Sequence, residues 1–207
     1  MKKTITVAVL GSTGYVGLEL INLLSRHPNV EINFLGSNNF PNKNIKEFDN
    51  RIINDTLPKL DQYKNINLTN IDVIFLALPH VASHKFVKEN INKTKIIDLS
   101  ADFRLDDSEV YRNNYNSEHL CPKLLKNFIY GLPEINYELI RNSNNIAVPG
   151  CYPTSVLLPL IPLFKANLIR SDNLIIDSKS GYSGAGKKFD KKNIYKKGML
   201  NFYNYNT

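Results

Sequence analysis

Short apolar runs alternate with polar, glycine-marked breaks along this chain. Ile5 to Leu10 is apolar except for Thr6 and ends at Gly11, the pattern of a short strand buried in a sheet. After the glycines of "GSTGYVGLELINLLSRHP", Val16, Leu20, Leu23 and Leu24 recur at helical spacing, and Pro28 stops the helix just beyond Arg26 and His27 in its last turn. "VEINFLGS" at 30–37 predicts a second strand, which makes strand, glycine turn, helix and strand one βαβ unit. The polar stretch 38–70 carries only weak strand signals, around Ile52 and Ile53. "DVIFLALP" at 72–79 predicts a buried strand, "HVASHKFVKENIN" a helix with Val81, Phe86 and Val87 turned inward, and "KIIDLS" at 95–100 the next strand. "NFIYGLPEIN" and "NNIAVPG" predict two further extended segments, and "NLIIDSKSG" at 173–181 another strand. Repeated βα alternation predicts an α/β protein, a Rossmann-like doubly wound, mostly parallel sheet.

Composition narrows the class. Two cysteines, Cys121 and Cys151, are too few and too far apart for a disulfide framework, and no cysteine or histidine spacing suits zinc, so no metal is expected. The apolar run at the N-terminus is too short for a signal peptide, and "VLLPLIPLF" at 156–164 is about half a membrane span and holds two prolines. A soluble, cytoplasmic protein with no membrane partner is expected. The net charge of +7 is spread along a lysine- and asparagine-rich chain, and only "KKFDKKNIYKK" at 187–197 clusters, so no nucleic-acid partner is expected.

Two places carry chemistry. Gly11, Gly14 and Gly17 lie between a strand and a helix, where a tight turn and helix N–H groups suit a pyrophosphate. The second strand ends Gly36-Ser37-Asn38, with no carboxylate to repel a ribose 2′-phosphate, which favours NADP(H) over NAD. Cys151, in "NNIAVPGCYPTS", follows a chain-bending Pro149-Gly150 and precedes the helix-entry residues Pro153, Thr154 and Ser155. A helix N-terminus favours thiolate over thiol and exposes a nucleophile; the competing reading is a small buried hydrophobe. "EHLCPK" gives Cys121 no such setting. Arg104, in "DLSADFR", falls just past the carboxyl end of a strand, where open α/β sheets bind ligands.

Together "GSTGYVGLEL", "FLALPH", "DLSADFR", "YGLPEIN", "AVPGCYPTS" and "SGYSGAGKK" occur in the order found in N-acetyl-gamma-glutamyl-phosphate reductases, and the chain resembles that family of the semialdehyde dehydrogenase group along nearly its whole length. The resemblance implies an NADPH-dependent enzyme of arginine biosynthesis that reduces an acyl phosphate through a thioester on Cys151. It implies that Gly11, Ser12, Thr13, Gly14, Tyr15, Val16 and Gly17 form the pyrophosphate loop, with Ser37 near the adenosine ribose. Arg104 matches a phosphate-binding arginine, and Ser183, Gly184 and Gly186 match a loop around the nicotinamide. It also implies a dinucleotide-binding domain at 1–150, the start of an α+β substrate domain at 151–207, and a homo-oligomer when full length. The family's catalytic histidine follows a stretch resembling "NFYNYN", so none of His27, His80, His84 or His119 corresponds to it and a C-terminally truncated form is expected. Two other readings stay open: an aspartate-semialdehyde dehydrogenase type, and a non-catalytic dinucleotide-binding remnant.

Overall fold

The computed structural model describes residues 4–187, 195–196 and 199–200. The chain divides into two compact units, residues 1–174 and 175–207.

The first unit is built on a sheet of seven strands: β1 (Ile5–Leu10), β2 (Val30–Gly36), β3 (Leu60–Asp61), β4 (Val73–Leu76), β5 (Lys95–Asp98), β6 (Ile129–Tyr130) and β7 (Asn145–Ala147). Their order is β3-β2-β1-β4-β5-β7-β6, and every neighbouring pair is parallel. The chain winds outward from β1 to β3 and then returns to lay β4 on the other side of β1. That reversal leaves a crevice between the carboxyl ends of β1 and β4, where ligands of open sheets bind.

Period-two alternation puts the two sets of β1 side chains on opposite faces. Val7 and Val9 join Leu18, Ile21, Ile32, Leu35, Ile45, Ile52 and Leu60 in one core cluster. Ala8 and Leu10 join Ile74, Leu76, Val87, Ile96, Phe103 and Phe128 in the other. The segment with no clear pattern, 38–70, contributes Ile45 from a single 3₁₀ turn, Ile52 from irregular chain and Leu60 from β3 to the first cluster. Ile53, 75% exposed, forms no strand with Ile52.

The helices depart from the apolar count. Helix α1 is Tyr15–Leu24, shorter than the pattern predicts, and buries Leu18 and Ile21 with partial cover from Leu20 and Leu24, whereas Val16 and Leu23 are exposed. Helix α2 is Ala82–Asn90; it buries Val87 and, unexpectedly, Ser83 and His84, while Val81 is its left-handed N-cap. Two polar helices escaped the pattern: α3 (Ser108–Tyr115), capped by Asp107, and α4 (Pro133–Asn142), which starts at the proline of "GLPEIN". Each buries too little for a hydrophobic stripe to announce it; Tyr111 alone is buried on α3 and nothing on α4. Helix α5, Cys151–Lys165, continues through Pro159 and Pro162, residues that ordinarily kink or break a helix, and none of its residues is buried.

In the second unit the described residues form a 3₁₀ turn at Tyr182–Ala185 and an antiparallel pair, β8 (Tyr195–Lys196) with β9 (Met199–Leu200). No strand forms across 173–181; these residues are exposed, and none has a ladder partner among the described residues.

Candidate active site

The glycine turn begins where β1 ends. Gly11 has φ +85°, and a Cβ there would lie 2.1 Å from the Ala77 carbonyl oxygen, so no side chain fits. A Cβ at Gly17 would lie 2.3 Å from the Gly11 oxygen. Gly14 is different: it caps α1 at φ −76°, and a Cβ there would make ordinary contact at 3.5 Å. The fold therefore requires Gly11 and Gly17 for its own packing, and leaves bare backbone at Gly14 that its packing does not require. The N–H groups of the first turn of α1 face outward at this point, the arrangement that receives a phosphate.

Gly36 holds the turn from beneath. Its carbonyl accepts from both Gly11 and Ser12 N–H, each at 3.1 Å. Ser12 is fully buried and its hydroxyl donates to the Val9 carbonyl at 2.8 Å, so its side chain serves the turn from inside. Thr13 is half-buried, and Tyr15 and Val16 are exposed. Ser37 is buried and its N–H donates to the Asp61 carbonyl at 2.8 Å. Tyr63, which the sequence did not single out, packs on this turn: its ring would lie 2.9 Å from a Cβ at Gly36. Burial pushes its phenol up, partly offset by the Gly11 backbone.

Three strand positions along the same sheet edge, Cys151 is exposed in the first turn of α5. Val148 N–H donates to the Asp98 carbonyl at 2.7 Å, extending the β5–β7 ladder by one rung, and the chain then leaves the sheet. Gly150 caps α5 with its carbonyl, which accepts from both the N–H and the hydroxyl of Thr154, at 3.0 and 2.9 Å. Arg104 braces this exit. Its Nε donates to the Val148 carbonyl at 2.8 Å and one terminal nitrogen donates to the Leu99 carbonyl at 3.0 Å. Its other terminal nitrogen would lie 2.9 Å from a Cβ at Gly150. The guanidinium thus ties the ends of β5 and β7 together beside the cysteine, and one nitrogen remains turned toward the α5 N-terminus.

Behind that edge lies a buried polar group that sequence reasoning missed. Asp102 is fully buried and accepts from the N–H groups of Val81 (2.7 Å) and Ser83 (3.1 Å), with His80 Nδ1 2.9 Å from the same carboxylate. Asp98 is also fully buried and accepts from the hydroxyls of Ser83 and Ser100; burial raises its carboxyl to about 6, against the lowering effect of those bonds. Asp98, Ser100 and Asp102 recur at every second residue, which was the available signal. His84 and His119 lie face to edge at 4.1 Å within an aromatic cluster that includes Phe103 and Tyr111. Desolvation lowers His84 to about 4 and lowers His119 as well. Cys121 is buried against them, and burial raises its thiol to about 11, the condition of an unreactive thiol. Among the described residues no group of histidine, cysteine and carboxylate side chains is arranged to hold a metal, and no helix is long and apolar enough to cross a membrane.

Ser183, Gly184 and Gly186 belong to the second unit, in and just after its 3₁₀ turn. Gly186 has φ +80°, and a Cβ at Gly184 would lie 2.5 Å from the Ser180 hydroxyl.

A parallel doubly wound sheet with a glycine turn at its switch point and an exposed cysteine on the same edge defines a dinucleotide-binding α/β protein of the thiol-bearing kind. A model of the semialdehyde dehydrogenase NAD-binding domain matches residues 6–143, and one of the semialdehyde dehydrogenase dimerisation domain matches 151–207. The chain belongs to the semialdehyde dehydrogenase family. It is 46% identical over 196 residues to an N-acetyl-gamma-glutamyl-phosphate reductase of Ehrlichia canis, covering 94% of this chain and 56% of that protein. A reductase of the same name from Desulforamulus reducens is 44% identical over 205 residues, covering 97% of this chain and 59% of that protein. The chain therefore spans little more than half the length of the curated relatives it matches. Among solved structures, aspartate semialdehyde dehydrogenase II of Vibrio cholerae shares the fold at TM-score 0.59 and 22% identity, over 79% of this chain and 47% of that one.

Proposed function

We propose that this chain is the dinucleotide-binding and thiol-bearing part of an NADPH-dependent N-acetyl-gamma-glutamyl-phosphate reductase. The observation that carries the reading is an exposed Cys151 in the first turn of α5, on the sheet edge that also bears the glycine turn. The thiolate attacks the acyl carbon of N-acetyl-glutamyl 5-phosphate, the carbon–oxygen bond to phosphate breaks, and a thioester forms on Cys151. A nicotinamide, when bound, would supply the hydride that, with a proton, converts the thioester on Cys151 into N-acetyl-glutamate 5-semialdehyde and frees the thiol. The names of relatives at 44–46% identity support this substrate; the aspartate-semialdehyde alternative has only a likeness of fold at 22% identity.

The chain's own residues fit a dinucleotide because Gly14 bares backbone beside N–H groups at a helix start. Gly11, Thr13, Gly14, Tyr15, Val16 and Gly17 are assigned to the pyrophosphate loop, with Ser12 bracing it from inside and Ser37 near the adenosine ribose. NADP(H) is the assigned cofactor, because Gly36-Ser37-Asn38 offers no carboxylate to a 2′-hydroxyl. The remaining terminal nitrogen of Arg104 is assigned to the substrate phosphate, and Ser183, Gly184 and Gly186 to the nicotinamide end. Residues 1–150 form the NADP-binding domain and 151–207 begin a substrate domain through which the whole enzyme self-associates, in the cytoplasm.

Acylation tests the reading without requiring turnover. Incubated with N-acetyl-glutamyl phosphate, the chain is expected to gain one acyl group by intact mass, and Cys151→Ser to gain none. Acylation that persists in the serine variant, or fails in the native one, would sink the thioester assignment.

A further inference from the structure

The stretch 38–70, where no strand or helix pattern was legible, builds one wall of a cleft. Asn38, directly after β2, accepts through Oδ1 from Tyr63 N–H at 3.0 Å, which pins the 3₁₀ turn Tyr63–Asn65 to the end of that strand. Helix α2 forms the facing wall, and the cleft between them, about 860 Å³, reaches Leu78 just past β4. Leu78 N lies 3.4 Å from where a Cβ on Gly11 would be, so the cleft meets the glycine turn. Ile66, Leu78 and Phe86 give it apolar walls, the surface that takes a purine ring.

Its charges have one sign near Asn38. Lys64 stands beside Tyr63 and Lys85 on the opposite wall, with Glu89 further along α2 and Lys93 in the turn after it. The carboxylate nearest in sequence, Asp61 at the end of β3, is turned into its own loop: Oδ1 accepts from Gln62 N–H at 2.7 Å and from Asn65 Nδ2 at 2.8 Å. An acidic residue at this edge would select a free ribose 2′-hydroxyl. Here an ammonium and a side-chain amide, whose oxygen is already occupied, are offered instead.

Resting on the dinucleotide reading above, we propose that this cleft holds the adenosine half of the cofactor and that Lys64 with the Asn38 amide grips the 2′-phosphate. Preference for the phosphorylated cofactor then comes from the loops that follow β2 and β3 and not from the glycine turn.

Calorimetric titration of the chain with adenosine 2′,5′-bisphosphate and with 5′-AMP tests this. The bisphosphate is expected to bind about tenfold more tightly, and Lys64→Ala to remove most of that difference while leaving AMP affinity within about twofold. Lys64→Arg is expected to retain the difference, and Lys93→Ala, at the far end of the cleft, to leave both affinities unchanged. A difference that survives Lys64→Ala overturns the cleft assignment but leaves a dinucleotide site standing. Equal loss of both ligands in Lys64→Ala also overturns it, since the lysine would then support the cleft as a whole. Absence of binding by either nucleotide to the native chain overturns the dinucleotide reading itself.

Discussion

Gly14 and Gly17 stand three residues apart and answer to different constraints. A methyl at Gly17 would meet the Gly11 carbonyl at 2.3 Å, whereas one at Gly14 has room. Gly17→Ala is therefore expected to destabilise the fold by about 2 kcal/mol or more. Gly14→Ala is expected to stay within about 1 kcal/mol of the native protein yet bind dinucleotide about tenfold more weakly. Urea denaturation and titration calorimetry separate the two; equal losses of stability would show that both glycines serve packing alone. The two thiols differ as sharply. Iodoacetamide is expected to label Cys151 in the folded chain and Cys121 only after unfolding, because Cys121 is buried with its thiol raised to about 11. Peptide mapping reads this directly, and labelling of both at similar rates would contradict the burial. The neighbours of Cys151 made a helix start legible, since turn and helix-entry residues act over a few positions, but left its burial open. The brace from Arg104 to Val148 crosses 44 residues of sequence and had no local signal.

At the scale of elements, the N-terminus of α2 is held from outside. Val81, a β-branched residue at φ +71°, occupies a conformation that costs about 1–2 kcal/mol. Asp102 holds it there by accepting from Val81 and Ser83 N–H, as an N-cap supplied from the loop after β5. Asp102→Ala leaves two N–H groups without that acceptor and is expected to destabilise by about 3 kcal/mol. Hydrogen exchange is expected to quicken at Val81 and Ser83 before the centre of α2; unchanged protection there would remove the capping role. Helix α5 presents the opposite case. Its apolar pattern was plain, but no residue on it is buried, because an apolar stripe states a demand for cover without naming the surface that meets it.

Across the whole molecule, stability is expected to follow the buried histidines. His84, lowered to about 4, and His119, also lowered, stay neutral in the folded chain while their unfolded counterparts take up protons below about 6.5. Their contribution is complete above that pH and is lost on acidification, by at most ~1.4 kcal/mol per pH unit for each. Asp98, raised to about 6, runs the other way: folded, it keeps a proton that the unfolded chain releases above its ordinary value, which softens the loss between roughly 4 and 6. Denaturation midpoints are expected to fall from pH 7 to pH 5, and more steeply in Asp98→Asn; a flat profile in both would exclude the histidine cluster as the cause. The sequence by itself determined the doubly wound sheet and the glycine turn, because period-two burial and turn chemistry act between near neighbours; it left Cys151 between a nucleophile and a small buried hydrophobe, and the structure decided for exposure. Only the tertiary structure decided the buried pair Asp98 and Asp102, the Arg104 brace and the cleft beside Tyr63. The brace and the cleft join residues far apart in the chain, and although Asp98 and Asp102 recur at period two, their partners Val81 and Ser83 lie 15 to 21 residues away, so burial alone fixes what they do.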